Sequence, residues 1–323
     1  MGVAVRSALL VALLLGAFAY LMLFERKLLG YFHRRVGPNR VGPWGLLQPV
    51  ADGVKALLKE DVVPAGADRL VFYAAPALSL FTALAAYAVI PVGPPVSVGP
   101  WVIPLSIADP EAGILVLLAF TSLGVYGISL GGWASQSKYA LLGSLRSSAQ
   151  LISYEIAMAM NLLAVLVLAG SVRLADIVAA QTPYPFALVQ PLGFLLYMVS
   201  ATAEVNRIPF DLPEAETELV AGYHTEYSGM RMAMFVMAEY INLITQASLV
   251  TLLYLGGWSG PPLLPGPAWF VLKVAAVLFV FIWMRASLPR LRYDQLMALG
   301  WKVLLPLSVA NLAVYAAWVA VRG

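Results

Sequence analysis

The sequence predicts an all-α membrane protein: a polytopic bundle of about eight transmembrane helices with one short amphipathic helix at the membrane surface. The chain is 61% hydrophobic and only 11% charged, whereas soluble domains carry about 25% charged residues. Apolar runs of about 20 residues, long enough to cross a bilayer as helices, recur along the chain. The charge deficit disfavours a soluble protein with buried helices. No long polar segment separates a second domain, so we expect a single transmembrane domain over residues 1–323.

Eight segments are predicted to cross the membrane as helices, because a span in lipid has to satisfy its own backbone hydrogen bonds. The fifth is near the short limit for crossing a core of about 30 Å. The first is interpreted as a retained helix, since it is long for a signal peptide and no small-residue cleavage site precedes the basic residues that follow it. The predicted spans are 3–24, 70–91, 111–133, 145–169, 187–206, 230–255, 268–286 and 302–321.

The basic residues indicate the orientation of these spans. Of the 20 Lys and Arg residues, all but Arg6, Arg173, Lys273 and Arg322 fall in or beside alternate loops. The positive-inside rule therefore places these loops in the cytoplasm and both termini on the outer side. The inner loops are 25–69, 134–144, 207–229 and 287–301.

The first inner loop, residues 25–69, is predicted to contain an interfacial helix near 49–59. The preceding stretch VGPNRVGPWG is rich in turn-forming residues, and Pro49 suits a first helical turn. Apolar residues such as Val50 and Val54 then recur on one face, with charged residues on the other. A helix of this kind lies in the membrane surface and can frame a lateral doorway for a lipid-like molecule. A solvated linker is the alternative.

The chemistry that this chain can perform alone is narrow. It has no cysteine, which excludes a disulfide framework and a thiolate-bound iron–sulfur cluster within the chain. Its two histidines, His33 and His224, lie outside the predicted spans, which excludes a bis-histidine haem in the membrane. Electrons for any redox reaction therefore have to come from a partner.

Two glutamates lie deep in predicted spans. Glu155 and Glu239 are each about ten residues into a span, or some 14 Å into the membrane. A charge at that depth costs at least about 2.5–3 kcal/mol, so an intramembrane carboxylate is a functional hypothesis by default. Glu204 ends the fifth span on the basic side. We interpret these acids as parts of a proton relay, with neutral, hydrogen-bonded packing residues as the alternative.

The inner loop 207–229 and the residues just before it are unusually acidic. The whole chain has 17 Asp and Glu residues, and six of them lie between positions 204 and 226. Two prolines predict a loop at first and then a short helix over 214–220. A zinc site at His224 is disfavoured because the spacing and the supply of nitrogen or sulfur ligands do not suit it. A solvated acidic loop is the broader alternative, and we favour a proton-accepting surface at the inner mouth of the membrane acids.

Three long motifs resemble the quinone-proximal membrane subunit of respiratory complex I, which is designated H in bacteria and is the homologue of mitochondrial NADH dehydrogenase subunit 1. They are ERKLLGYFHRRVGPNRVGPWGLLQPVADGVKALLKED, GWASQSKYALLGSLRSSAQLISYE and EVNRIPFDLPEAETELVAGYHTEYSGMRMAMFVMAEY. The stretch RLRYDQLMALGW in the last inner loop fits the same family. The resemblance covers almost the whole chain.

The resemblance implies a non-redox subunit of NADH:quinone oxidoreductase, a proton-translocating enzyme of the bacterial plasma membrane. Quinone is then the substrate, and the flavin and iron–sulfur clusters belong to partner subunits. The implied partners are the quinone-site subunits of the peripheral arm, the adjacent small and antiporter-like membrane subunits, and lipids. No covalently bound cofactor, metal site or nucleic acid is implied.

The resemblance also assigns roles to individual residues. Some relatives carry a further carboxylate in the third span, where this chain has Ser122. The implied quinone-channel residues are Arg26, Arg35, Trp44 and Tyr240. The implied proton path comprises Glu25, Glu155, Glu204, Glu239, Asp211, Glu214, Glu216 and Glu218.

Two rival functions use the same sequence features. A stand-alone proton or cation antiporter would suit buried glutamates, but such transporters are commonly built from inverted repeats and none is visible here. A purely structural membrane anchor with inert glutamates would tolerate replacement of Glu155, Glu204 or Glu239 by glutamine without loss of coupled activity.

Overall fold

The computed structural model describes residues 2–98, 101–212 and 220–322, and helices make up most of this part of the chain. A 3₁₀ turn at Pro43–Gly45, another at Gly222–His224 and a π-helical turn at Gly300–Leu304 join the regular elements. The elements are α1 (Val3–Phe32), α2 (Gln48–Leu58), α3 (Arg69–Tyr87), β1 (Val96–Val98), β2 (Trp101–Ile103), α4 (Gly113–Ala134), α5 (Lys138–Ala169), α6 (Leu174–Ala180), α7 (Phe186–Val189), α8 (Pro191–Glu204), α9 (Gly229–Tyr254), α10 (Gly266–Ser287), α11 (Tyr293–Leu299) and α12 (Leu305–Arg322).

The predicted helical membrane class is confirmed. In the described part of the chain, seven helical stretches are long and apolar enough to cross a bilayer: α1, α3, α4, α5, α9, α10 and the continuous stretch from α11 to α12. The chain is therefore a multi-pass membrane protein. The single pair of short strands, β1 and β2, forms an antiparallel hairpin in which Val96 lies opposite Ile103.

The fifth predicted span is not one continuous helix. Residues 187–206 contain the end of α7 and the whole of α8, and the two helices meet at Gln190, whose φ of −129° and ψ of 62° are not helical. Pro191 explains the break, because proline disfavours the helical conformation of the residue before it and then suits a first helical turn. With 14 residues, α8 alone is about 21 Å long.

The first span extends further than predicted. Helix α1 continues through ERKLLGYF to Phe32, so Glu25 and Arg26 lie on a helix and not at the start of a loop. Leucines and other helix-forming residues continue the pattern after the charged triplet, and the chain stops being helical only before Gly37 and Pro38. This extension carries the charged end of α1 into contact with the inner loops.

Helix α9 lies at the centre of the bundle. Within its most apolar window 83% of the residues are buried, against 17% for α1, and it packs against α1, α3 and α10. Beside it, α3 and α4 approach closely at Gly127, where an added Cβ would lie 2.1 Å from the Ser79 hydroxyl oxygen. Lys273 closes the far end of α9 by donating to the carbonyls of Leu255, Gly257 and Ser259 at 2.7, 3.0 and 2.6 Å.

The short helix α2 lies against α1 and α9. Its outward side chains are apolar: Val50, Leu57 and Leu58 are 60%, 69% and 81% exposed. Exposed leucines of this kind suit contact with lipid or with a partner protein better than contact with water. The position of α2 in the membrane surface stays a prediction.

Candidate functional site

A lateral cavity of about 620 Å³ opens between α1, α2 and α9. Apolar side chains line most of it, with several methionines from the first turns of α9. At its mouth the Arg26 guanidinium of α1 pairs with the Asp52 carboxylate of α2 at 2.7 Å. The Gln48 amide donates to the same carboxylate at 2.9 Å. The cavity is thus apolar inside and carries charged side chains at its rim.

The wall opposite α1 is fixed by bonds between the segment after α2 and the start of α9. The Ser228 hydroxyl donates to the carbonyl of Glu60 at 3.0 Å and accepts from the amide of Val62 at 3.3 Å. The buried guanidinium of Arg231 pairs with Asp61 at 2.5 Å. These contacts hold α2 at a set distance from α9.

A group of four charged side chains, two of them buried and two partly buried, lies behind this cavity, and we call it the charge cluster: Glu25 and Arg207, with Glu239 and Arg285. Glu25 is only 2% exposed. Its Oε1 accepts from Arg207 Nη1 at 3.0 Å and also from Arg285 Nη1. Arg207 in turn places Nε 2.9 Å from Oε1 of Glu239. Two acids and two arginines therefore compensate one another in the interior, where isolated charges are costly.

One aromatic layer separates the lateral cavity from the charge cluster. Phe18 lines the cavity and places its ring edge against Tyr240, with the ring centroids 5.6 Å apart. The Arg207 guanidinium lies over the Tyr240 ring, 4.4 Å from its centroid. A change of charge in the cavity would therefore act on Arg207 across two rings.

A narrow polar cavity of about 50 Å³ continues beyond the charge cluster. Both Glu204 and Glu239 line it, together with Thr121 and Asn242. A volume of this size holds a few waters, since each needs about 10–15 Å³ on the same measure. Within the described residues the buried Oε2 of Glu204 has no hydrogen-bond partner, which makes it a natural contact for such a water.

The polar line continues from this narrow cavity to Glu155. Thr121 lines the cavity, and the next residue, Ser122, donates its hydroxyl to Oε1 of Glu155. Glu155 lies on α5 and is only partly buried. Of the four membrane acids named from the sequence, Glu25 and Glu239 both pair with Arg207, Glu239 and Glu204 line the narrow cavity, and Glu155 accepts from Ser122.

The described part of the acidic inner loop is held against the last inner loop. Asp211 is buried and pairs with Arg290 at 3.0 Å, and the Leu291 amide donates to the carbonyl of Pro209 at 3.0 Å. Gln150 of α5 donates to two carbonyls of the segment 203–210 at 2.8 Å. The predicted proton-path residues Glu214, Glu216 and Glu218, and most of the helix predicted at 214–220, lie outside the described residues.

Part of the segment 222–228 packs against two phenylalanines in a second buried group, which we call the aromatic–histidine cluster. Its members are Tyr223, His224 and Tyr227 of the segment, with Phe72 and Phe235. Phe72 and Tyr227 stack with centroids 4.2 Å apart, and His224 lies 3.8 Å from the Tyr223 ring centroid. Burial lowers the pKa of His224 to about 3, so the imidazole is neutral. In the described ranges no three His, Cys, Asp or Glu side chains are grouped to hold a metal ion.

The implied quinone-channel residues fall in different places. Arg26 lies at the mouth of the lateral cavity, and Arg35 lines a neighbouring polar cavity of about 410 Å³. Tyr240 lies one ring behind the lateral cavity. Trp44 is 83% exposed, and its carbonyl accepts from Lys27 at 2.5 Å.

Several residues of the site were not singled out from the sequence: Arg285, Arg290, Asp61 and the pairing role of Arg207. A partial signal existed for Arg285, because it falls inside a predicted span and a cation in lipid requires a partner. Nothing in the spacing of the sequence identifies Glu25 as that partner, since the two lie on opposite ends of the chain.

The fold and the site define a class: a multi-pass helical membrane protein with a lateral apolar cavity next to a chain of buried acids. Comparison with known proteins is specific. A family model described as NADH dehydrogenase matches residues 5–316. The chain therefore belongs to the NADH dehydrogenase family.

Individual relatives support the same assignment, and each is named as the H-type subunit of an NADH-quinone oxidoreductase. The relative from Geobacter sulfurreducens is 56% identical over 309 residues, covering 96% of this chain and 94% of the relative. The relative from Deinococcus radiodurans is 55% identical over 328 residues, covering 96% and 81%. The relative from Thermomicrobium roseum is 52% identical over 313 residues, covering 94% and 92%. The resemblance noted from the sequence motifs is confirmed.

Proposed function

We propose that this chain is the quinone-channel and proton-coupling membrane subunit of a proton-translocating NADH-quinone oxidoreductase. In this role it anchors the peripheral redox arm and links quinone reduction to the proton path in the membrane. One observation carries the proposal: Phe18 of the lateral cavity contacts Tyr240 beside the charge cluster, and Glu239 of that cluster lines the narrow polar cavity together with Glu204.

The lateral cavity suits a long-tailed quinone. Its apolar lining fits an isoprenoid tail, and the Arg26–Asp52 pair at its mouth offers polar contacts to a head group. Arg35, Trp44 and Tyr240 are proposed to contact quinone farther along a channel that the peripheral arm completes. Reduction of a quinone takes two electrons and two protons. The chain holds no cysteine, so we assign the flavin and iron–sulfur clusters that deliver the electrons to partner subunits.

Coupling is proposed to be electrostatic. A negative charge formed on quinone attracts the Arg207 guanidinium, which lies over the Tyr240 ring. This attraction weakens the ion pairs of Arg207 with Glu239 and Glu25. Glu239 then exchanges a proton with Glu204 through water in the narrow cavity, and Glu204 exchanges with Glu155. Asp211, Glu214, Glu216 and Glu218 are proposed to supply protons at the inner mouth of this path.

The partly exposed face at Glu155 indicates where the path leaves the chain. Glu155 and Ser122 are joined by Ser129 and Ser148, whose hydroxyls lie 2.6 Å apart, on the same α4–α5 surface. Polar groups at membrane depth face a protein or a water-filled cavity and not lipid. We therefore place adjacent small and antiporter-like membrane subunits against this surface, and both termini on the outer side of the bacterial plasma membrane.

The decisive experiment replaces Glu204 by glutamine in the assembled complex. Glutamine keeps the shape and the capacity to hydrogen-bond but cannot carry the proton, so quinone-coupled proton translocation should fall about tenfold or more. Electron transfer from NADH to an artificial acceptor at the peripheral arm should be unchanged, because the arm is intact. The measurement is proton uptake by vesicles beside both electron-transfer rates.

Asp294→Asn is the matched control, because Asp294 is an exposed inner-side acid paired only on the surface with Arg292. It should leave translocation intact. Full translocation in Glu204→Gln would overturn the proton-coupling role and favour a structural anchor. Proton or cation exchange by the isolated chain in vesicles, without the redox arm, would instead favour a stand-alone antiporter.

A further inference from the structure

A second enclosed apolar space lies far from the lateral cavity, towards the other end of α1. It has a volume of about 210 Å³ and is bounded by the first turns of α1, the end of α3 and residues 104–107, which follow β2. We call it the outer pocket. The proposed proton path uses none of its residues.

The lining of the outer pocket is apolar except for one cation. Leu9, Leu10 and Leu13 of α1 face Ile90 and Val92, and Arg6 lies on the same helix one turn before them. Leu9 and Leu13 are 51% and 62% exposed, so the pocket opens sideways from the bundle. In the membrane, that opening faces the hydrocarbon of the bilayer.

The Arg6 guanidinium makes few hydrogen bonds within the described part of the protein. One Nη donates to the Ser106 carbonyl at a long 3.5 Å, and the buried Nε has no hydrogen-bond partner among the described residues. In the same described ranges no carboxylate lies within ion-pair distance of Arg6. A guanidinium near the membrane edge keeps its charge and reaches for water or for an anion.

The apolar walls and the cation at Arg6 together indicate what this pocket holds. A dry apolar cavity does not hold water well, because water needs several polar partners. An acyl chain fits such walls, but a chain in a bilayer is already out of water, so filling the pocket gains packing and little hydrophobic free energy. The choice among lipids therefore rests on the head group, and the unpaired charge of Arg6 favours a negative one.

We propose that the outer pocket binds an anionic phospholipid of the outer leaflet, with one acyl chain between Leu13 and Val92 and the head-group phosphate on Arg6. Bound there, the lipid fixes the N-terminal half of α1 against α3 and the segment after the hairpin. The same helix carries the lateral cavity and Glu25 at its other end.

The test uses the intact complex in phosphatidylethanolamine vesicles with a minor fraction of phosphatidylglycerol that carries a photoreactive acyl chain. Cross-links mapped by mass spectrometry should concentrate on residues 9–13, 90–92 and 104–107. Arg6→Gln should lower this labelling about fivefold, in line with the contribution of one basic residue to binding an anionic lipid. Arg6→Lys should retain most of it. Ala88→Leu, which fills the pocket without touching the charge, should lower it as well.

Arg322→Gln is the control, because Arg322 is also an outer-side cation but lies over the Trp318 ring and outside the pocket. It should not change the labelling of residues 9–13. Equal labelling by photoreactive phosphatidylethanolamine, unchanged labelling in Arg6→Gln, or cross-links from these residues to a partner subunit instead of lipid would each overturn the proposal. Co-purification of the subunits in normal ratio shows that each variant is assembled.

Discussion

The charge cluster and the aromatic–histidine cluster are both buried beside the inner segment that joins α8 to α9, yet they are stabilised in opposite ways. The charge cluster places opposite charges against one another, with Arg207 between Glu25 and Glu239. The aromatic–histidine cluster keeps its one titratable base neutral, because burial lowers the pKa of His224 to about 3. One region depends on matched charges and the other on keeping a buried base neutral.

Because of this difference, we expect mutation and acid to affect the stability of the two regions differently. Removal of one partner from a buried ion pair leaves an uncompensated charge, which costs far more than the pair itself contributes. A neutral buried base loses stability only when it is forced to take up a proton. The charge cluster should therefore respond to mutation in a coupled way and the aromatic–histidine cluster to acid.

The largest effect is expected from Arg207→Met. The change leaves Glu239 without an ionic partner in the described part of the chain and Glu25 with Arg285 alone. The expected loss is about 3–5 kcal/mol of stability. It is measured as the shift in resistance of the purified complex to denaturation by detergent. Arg292→Met removes an arginine from an exposed pair, in which the two side chains are 73% and 69% exposed, and should have no measurable effect.

A double variant makes the coupling visible. Arg207→Met combined with Glu239→Gln removes both members of one pair, so the combined loss should be smaller than that of Arg207→Met alone. Simple addition of the two single effects would show that the charges in the cluster do not compensate each other, and the contrast with the aromatic–histidine cluster would disappear.

The next largest effect is a pH dependence at His224. The folded-state pKa lies below the ordinary value of about 6.5, so the unfolded segment binds the proton more tightly. The stability present above about pH 6.5 is therefore lost as pH falls towards 3, by about 2 kcal/mol at about pH 5. The protection factors of residues 220–228, in which the observed hydrogen exchange is divided into the intrinsic rate at each pH, should fall accordingly between about pH 7 and pH 5. His224→Phe should abolish that fall, and the same fall in this variant as in the unaltered chain would contradict the assignment.

The sequence was sufficient for the helical membrane class because that signal is local: an apolar run of about 20 residues needs no partner to be recognised. A glutamate within such a run is equally visible, but its part in a proton path stays a prediction; in the structure Glu204 and Glu239 line the narrow cavity, and Glu155 accepts from Ser122. The break at Gln190 was missed because composition outweighed one proline in the interpretation of the fifth span. The continuation of α1 to Phe32 was missed because three charged residues resembled the start of a loop.

The pairings could not be predicted because they are contacts between distant parts of the chain. Glu25 meets Arg285 across 260 positions and Arg207 across 182, and no period or spacing in one sequence encodes such a contact. The outer pocket is likewise built from α1, α3 and the segment after β2. Local patterns therefore predicted which residues are unusual, and the packing decided which of them act together.

A smaller effect is expected at Arg231, which connects the aromatic–histidine cluster to the lateral cavity. Its guanidinium lies 5.0 Å from the Phe72 ring centroid and 4.5 Å from that of Tyr73 while it pairs with Asp61. Arg231→Lys keeps the charge but loses the flat stacking surface, at a cost of about 1 kcal/mol. A looser cavity wall should then raise the KM for a long-tailed quinone about fivefold, while a short-tailed quinone is unaffected.

Lys55→Arg is the control for Arg231→Lys, because Lys55 lines the same cavity on the exposed side of α2. It should leave both KM values unchanged. An equal rise in KM for short-tailed and long-tailed quinones in Arg231→Lys would show that the wall position does not act on the tail.

The smallest effect is expected from Asp109→Asn on the outer side. Arg173 donates from Nε to Asp109 at 3.0 Å, and this bond raises the pKa of the guanidinium, but the two side chains are 45% and 30% exposed. Water and salt compensate an exposed charge that loses its partner, so the detergent-denaturation midpoint should not move. Breaking the ion pairs of Arg207 is thus expected to be severe and breaking the Arg173–Asp109 pair to be silent, because the first are buried and the second is exposed. A destabilisation by Asp109→Asn that approaches that of Arg207→Met would mean that burial does not control these pairs.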